Sequence, residues 1–144
     1  MKNLIVLLII LLTFNACTKE DKVKRYEFTI INNSGENLTL SLLNQGTAVF
    51  TTDIMSTSSY FCSYTAEVNT LISECLQEGI DGIEIIFGNG TGYLCYMTNM
   101  SDNSLCFSGS KNPFNNDSYI TVGNNQYEFI ITEEDFNNAH ELPE

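Results

Sequence analysis

Five cysteines are the residues of this chain best suited to covalent chemistry. Cys17 stands near the N-terminus, and Cys62, Cys75, Cys95 and Cys106 are spread through the body. Four body thiols allow three pairings. Cys95 and Cys106 lie in consecutive strand-like runs joined by a loop of fitting length, and Cys62 with Cys75 would fasten the middle of the chain. The local pairs Cys62–Cys75 and Cys95–Cys106 are therefore expected, with the two crossed pairings as alternatives. Each short closed loop would contribute about 3 kcal/mol by restricting the unfolded chain. Zinc fails on spacing, since no two body cysteines form a CxxC and no histidine stands near them. A reactive thiol also lacks a neighbour to lower its pKa.

Other chemistry is sparse. The sole histidine is His140, four residues from the end, so a Ser–His–Asp triad would depend on a frayed terminus. Sixteen carboxylates follow Tyr26, and a glycosidase pair would need two of them about 5 to 10 Å apart across a cleft. Glu133, Glu134 and Asp135 read instead as acids at a helix start, and Glu67, Glu74 and Glu78 as a solvated face. Asn115-Asn116-Asp117-Ser118 and Asp102-Asn103-Ser104 offer oxygen ligands for calcium. Neither has the D-x-[DN]-x-[DN]-G pattern, so turns are expected there. The expectation is no catalytic set, no cofactor and no enzyme. Binding is the better prospect: Tyr93 and Tyr96 lie on opposite faces of one strand, so at most one points into the core, and Ser110 and Lys111 sit in a loop that could enter a partner's cleft. Phe114 follows Pro113 in a polar loop, where it either folds back as a lid over the sandwich edge, the preferred reading, or stays exposed as an anchor.

Charge narrows the partners. The 144 residues hold 6 Lys and Arg against 18 Asp and Glu, a net charge of −12, with 43% hydrophobic residues. That supports one domain with a real core and excludes nucleic acid, which needs clustered cations. The charge is split. Lys19 to Arg25 holds four basic and two acidic residues, whereas Lys111 is the single basic residue from Tyr26 onward. A body near −15 inclines toward cationic partners.

Lys2 and the nine apolar residues Leu4 to Leu12 form the n- and h-regions of a signal peptide. Nine residues are too few for a bilayer-spanning helix, which takes roughly 20. Thr13-Phe14-Asn15-Ala16-Cys17 then resembles the lipobox of bacterial lipoproteins, with a small residue before the cysteine. The resemblance implies cleavage before Cys17, diacylation of its thiol and usually a third acyl chain such as palmitate. Phe14 and Asn15 depart from the usual aliphatic and small residues. Two or three chains at about 0.8 kcal/mol per buried methylene anchor a protein permanently. Thr18-Lys19-Glu20-Asp21-Lys22 further resembles the surface-export signal of Bacteroidetes lipoproteins, which implies an outer-membrane, surface-exposed location, the periplasmic face being the alternative.

From Tyr26 the apolar pattern has a period of two. Tyr26 to Ile31 and Leu38 to Leu42, around the turn Asn32 to Asn37, read as a hairpin. Asn44-Gln45-Gly46 turns into Thr47 to Thr51, and Ser59 to Thr65 places Tyr60, Cys62 and Tyr64 on one face. A weak helix over 70–77 is expected, then strands Gly82 to Phe87, Tyr93 to Thr98 and Leu105 to Ser108, with a loop over Gly88 to Gly92. A last hairpin joins Tyr119 to Val122 with Gln126 to Ile131, and Thr132 caps a short helix reaching Ala139. The expected fold is all-β: a single antiparallel β-sandwich, Ig-like or similar, with one or two short helices. The chain divides into a signal peptide (1–16), a lipidated charged tether (17–25) and the sandwich domain (26–144).

The mature chain also resembles the short, mostly uncharacterised lipoproteins of Bacteroidetes. Beyond the lipobox, Phe28-Thr29-Ile30-Ile31-Asn32-Asn33-Ser34-Gly35, Asp81 to Phe87 and Tyr127 to Phe136 carry the likeness. That family supplies no catalytic residues. The expected function is a non-enzymatic, surface-anchored binding or accessory module whose partner is a glycan, an envelope protein or a cationic protein. The alternative is an acidic inhibitor of a cationic hydrolase such as lysozyme, and a carboxylate-based enzyme is the third.

Overall fold

Alternating burial along the strands builds two sheets that face each other, so the all-β sandwich holds. The computed structural model describes residues 23–67, 79–97 and 103–143. The signal peptide, Cys17, Cys75, Asp102 and the expected helix over 70–77 lie outside these residues. The described strands are β1 (Lys24–Asn33), β2 (Leu38–Asn44), β3 (Thr47–Ile54), β4 (Ser59–Ala66), β5 (Gly82–Phe87), β6 (Thr91–Tyr96), β7 (Ile120–Gly123), β8 (Gln126–Thr132) and β9 (His140–Glu141). One helix, α1 (Glu133–Asn137), and a 3-10 turn (Asn116–Ser118) complete the described elements.

The four-stranded sheet runs β4-β1-β8-β7 and the five-stranded sheet β3-β2-β5-β6-β9. All pairs are antiparallel except β1–β8, which is parallel with Ile30 opposite Phe129. The sandwich is therefore not purely antiparallel. The first described strand and the penultimate one meet in the centre of one sheet, far apart in sequence.

The inner faces follow the period-two reading. Tyr26, Phe28 and Ile30 face Leu38, Leu40 and Leu42 and Ile83, Ile85 and Phe87 across the core, and Phe129 and Ile131 fill the space between. Tyr60, Cys62 and Tyr64 close one side as half-buried residues. Rings order this core: Tyr64 stacks on Tyr26 (5.3 Å between centroids), and Tyr127 stacks on Phe28 (5.0 Å). Such pairs add about 0.5–1.5 kcal/mol each beyond area burial.

One expected hairpin is not formed. β1 and β2 lie in different sheets, and the cause is Asn32. Its side chain is fully buried and turns the chain from one sheet to the other. Nδ2 donates to the carbonyls of Glu36 (2.8 Å) and Ile54 (2.9 Å), and Oδ1 accepts from the Ser34 N–H (3.2 Å) and hydroxyl (2.6 Å). The Asn32 N–H also donates to the Ser58 carbonyl, and its own carbonyl accepts from the Thr57 N–H. One residue, through its side-chain amide and its backbone, thus bonds polar groups at two sheet-crossing corners, β1–β2 and β3–β4, which no hairpin ladder would serve.

The true hairpins use the expected turn residues. β2 and β3 join through Gln45 (φ 49°) and Gly46 (φ 75°), the two positive φ values that a two-residue hairpin requires. The β5–β6 turn is tighter than the expected loop over Gly88 to Gly92. β6 already begins at Thr91, which leaves Gly92 inside the strand. A Cβ at Gly92 would stand 1.9 Å from the Ile85 carbonyl oxygen, so glycine allows the two strands to approach. At the chain's end, Thr132 caps α1 in a capping box with Asp135, and the helix stops at Asn137, short of Ala139.

Candidate functional site

The polar residues singled out from sequence gather at one end of the sandwich, where the loop 103–119 packs under α1 and β9. After β6 the chain does not form the expected strand Leu105 to Ser108. Asn103 Oδ1 accepts from the Tyr96 N–H (2.8 Å), and the Leu94 N–H donates to the Leu105 carbonyl (2.9 Å). These two bonds satisfy β6 with little ladder, and the neighbouring length of its edge is taken by β9 at Thr91 and Gly92. The chain is then free to turn inward, where Phe107 stacks on Tyr93 with centroids 3.9 Å apart.

The Cys95–Cys106 disulfide is formed, with its Cα atoms 4.6 Å apart. It joins a strand to a loop and not two strands of a hairpin. Cys62 is also disulfide-bonded, and its expected partner Cys75 lies outside the described residues. Both sulfurs of the Cys95–Cys106 bridge belong to buried residues, so the loop is fastened from within. Replacing both cysteines by alanine is expected to cost about 3 kcal/mol from the lost constraint on an 11-residue separation. For a domain of this size, that is a fall in melting temperature on the order of 10 °C, measured by calorimetry beside the reduced wild type.

Lys111 does not project as a free probe. Its ammonium donates to Asp135 Oδ2 (2.5 Å) and to the Ile130 carbonyl (2.8 Å). It also lies 5.0 and 5.3 Å from the ring centroids of Phe107 and Phe129. The same Asp135 oxygen accepts from the Thr132 N–H (2.6 Å) and hydroxyl (2.8 Å), and the Asp135 carbonyl accepts from the Tyr93 hydroxyl (2.5 Å). One carboxylate caps the helix, neutralises the body's one lysine and shares its residue with a buried phenol. The idea of Lys111 entering an acidic cleft is thereby corrected, because the ammonium is spent inside the fold.

Tyr93 and Phe114 are buried, so neither is an exposed binding ring: Tyr93 is the tyrosine of β6 that points into the core, and Phe114 folds back, the preferred of its two expected placements. Tyr93 points inward beside Ile85 and Phe87, and Phe114 is turned in by Asn112, whose Oδ1 accepts from the Phe114 N–H (2.8 Å). Tyr96 takes the opposite face of β6 as parity requires, and lies over Gly82, where a Cβ would stand 2.9 Å from its ring. Ser110 is exposed and its carbonyl accepts from the Ser118 hydroxyl (3.0 Å). Asn115 spends its side chain capping the 3-10 turn at Asp117, as a turn residue would.

His140 is not frayed. It sits in β9, its ring edge-on to Tyr93 at 5.6 Å, with Nε2 3.3 Å from the Cys106 carbonyl. Sequence reading missed this strand, since two residues between Ala139 and Leu142 carry no period. His140, Tyr93, Phe107, Ser108 and Asn138 line a half-open cavity of about 340 Å³, and Ser110 and Lys111 line an adjoining one of about 240 Å³. Among the described residues, no group of three or more His, Cys, Asp or Glu is placed to hold a metal ion.

Burial raises the pKa of three phenols, Tyr60, Tyr93 and Tyr119, and the last two tie stability most strongly to alkaline pH. Burial pushes Tyr119 well above the usual 10, its hydroxyl donating to the Pro113 carbonyl (2.8 Å). Burial, with the negative charge of Asp135 as a second cause, pushes Tyr93 up to about 12. Below pH 10 both phenols are protonated in the folded and the unfolded chain, and their contribution is complete. Above it the unfolded chain releases protons that the folded chain keeps, so stability falls as pH rises from 10 through about 12. Melting temperatures taken from about pH 9 to 12 should show this fall, and Tyr119→Phe should flatten it.

The outer face of the four-stranded sheet is different in character. Here the apolar side chains face water. Register places Phe61, Thr29, Glu128 and Ile120 in one row across β4, β1, β8 and β7, and Ile31 beside Ile130 in the next. Phe61 is 52% exposed and Ile120 55%. Val122, at the β7 irregularity, adds a third large apolar side chain at the rim, 51% exposed. Glu27, one row away, is engaged by Arg25 (3.2 Å) and by the Gln126 amide (2.9 Å). Glu128 forms no ion pair among the described residues. No family model, no curated protein and no solved structure matches this chain, so the site rests on its own geometry.

Proposed function

We propose that this protein is a lipid-anchored, non-enzymatic binding module of a bacterial envelope, held at the outer membrane through Cys17 and displayed at the cell surface. The observation that carries the binding part is the outer face of the four-stranded sheet, where Phe61, Ile31, Ile130 and Ile120 form an apolar surface on a small domain. Phe61 and Ile120 are more than half exposed and Ile31 and Ile130 are half-buried between them, and contiguous apolar surface of this kind marks interaction sites. Support also comes from the loop 103–119, where Lys111 is engaged by Asp135 and Tyr119 by the Pro113 carbonyl, within the fold.

The anchoring part is supported by sequence: the apolar run Leu4 to Leu12, Ala16-Cys17, and the short charged stretch before β1 begins at Lys24. At about 3.5 Å per residue, the roughly seven steps from Cys17 to Lys24 reach no more than about 25 Å. The domain therefore works close to the bilayer, and its acid-rich body is repelled by anionic head groups.

Detergent phase separation with lipid labelling tests the anchor. The wild-type chain is expected to incorporate labelled fatty acid and enter the detergent phase, and Cys17→Ala to do neither. Protease shaving of intact cells should remove the sandwich domain. A Cys17→Ala variant that still partitions with membranes would overturn the reading.

A further inference from the structure

We propose that the outer face of the four-stranded sheet docks a basic, amphipathic polypeptide segment, whose apolar residues cover Phe61, Ile31, Ile130 and Ile120 and whose cation meets Glu128. This rests on the binding-module reading and names the partner's chemistry. The face is two-part. Its apolar residues span all four strands, and a half-buried carboxylate without an ion pair among the described residues stands between Thr29 and Ile120. A partner that buries this surface must also satisfy Glu128, because a carboxylate taken out of water without a counter-charge is costly.

Charge decides between occupants. A second copy would bring its own Glu128 to the same surface, on a body with sixteen acidic residues whose Lys111 is neutralised by Asp135, and the Arg25 on this face is engaged by Glu27 (3.2 Å). Like charges juxtaposed in an interface oppose association. An anionic lipid surface is repelled for the same reason. A sugar stacks best on flat aromatic rings, and this face offers one ring among isoleucines. A segment carrying Lys or Arg among apolar residues meets both demands, and the long-range field of the body speeds its approach.

The test uses the full chain held in nanodiscs of zwitterionic lipid and three synthetic peptides: one of Lys and Leu in an amphipathic pattern, one with Gln in place of Lys, and one with Gly in place of Leu. The Lys/Leu peptide is expected to bind, with weaker binding at higher salt. The double substitution Phe61→Ser/Ile120→Ser should weaken it about tenfold, equivalent to about 1.4 kcal/mol. Glu128→Gln should weaken it several-fold and flatten the salt dependence. Unchanged melting temperatures keep these variants interpretable, since all three positions lie outside the core.

Equal binding to wild type and variants overturns the face while leaving a binding module standing. Equal binding of the Gln/Leu or the Gly/Lys peptide overturns the two-part chemistry, and absence of Lys/Leu binding overturns the partner class. Self-association of the wild type that the double substitution abolishes assigns the face to a second copy and overturns the proposal. Anchoring is read separately by Cys17→Ala, so failure there leaves the peptide result intact.

Discussion

Asn32→Ala is expected to lower the free energy of unfolding by about 4 kcal/mol, more than its size alone suggests. The side chain makes four hydrogen bonds, two as donor to the Glu36 and Ile54 carbonyls and two as acceptor from Ser34. Asn32, Ser34 and Ile54 are all buried, so water does not replace the bonds to the Ser34 N–H and the Ile54 carbonyl. The Ser34 hydroxyl and the Glu36 carbonyl keep each other as partners (3.0 Å), so the loss falls on the Ser34 N–H and the Ile54 carbonyl, each left without a partner at a cost of about 1–3 kcal/mol. Asn32→Asp should be worse at neutral pH, because it places a carboxylate opposite two carbonyl oxygens and buries an unpaired charge. Urea denaturation monitored by tyrosine fluorescence would show the midpoint fall with an unchanged slope. A loss under about 1 kcal/mol would mean that the two corners hold without the amide.

Phe129→Ala should cost a similar amount, about 3–5 kcal/mol, for a different reason. Phe129 is fully buried in the centre of the four-stranded sheet, opposite Ile30 on β1. Its ring meets Phe107 edge-on at 5.4 Å and Tyr119 at 5.5 Å, and carries the Lys111 ammonium 5.3 Å from its centroid. Truncation leaves a cavity where β1, β8 and the loop 103–119 meet, and strips a cation of one of its two rings. The packing loss and the exposed ammonium add. Phe61→Ala is the control: the same chemical deletion at a half-exposed position should change stability by less than about 0.5 kcal/mol. Equal losses at the two positions would show that Phe61 is packed in solution and remove the apolar face on which the docking proposal stands.

Period-two burial was legible along most of the sheet-forming chain because a half-buried strand writes its inner face directly into the sequence. Ile83, Ile85 and Phe87 could be placed inward for that reason, and Thr132 could be placed as a cap because its hydroxyl acts on a residue three positions away. Local chemistry of that kind needs no partner from elsewhere in the chain. The Cys95–Cys106 bridge was legible for the same cause, being short in sequence, although the strand assigned to Cys106 was not formed.

What lay beyond reach were pairings whose partners are far apart. β1 pairs with β8 across roughly a hundred residues, and in parallel, which no local pattern encodes. The Asn32–Ser34 stretch reads as an ordinary turn in one dimension, and only the Ile54 carbonyl, 22 residues on, makes it a corner between sheets. Lys111 looked free because its partners Ile130 and Asp135 come from other elements. Which of Tyr93 and Tyr96 turns inward, and whether Phe114 folds back, was left open because both are decided by β9, α1 and the inward fold of 103–119. The sequence by itself determined most of the strands, the Gln45-Gly46 turn, the acidic charge and the expectation of an anchored cysteine, all of which follow from neighbours along the chain. The tertiary structure alone decided which of its outward-facing residues share a surface, since Phe61, Ile31, Ile130 and Ile120 become neighbours only when four strands fall into register.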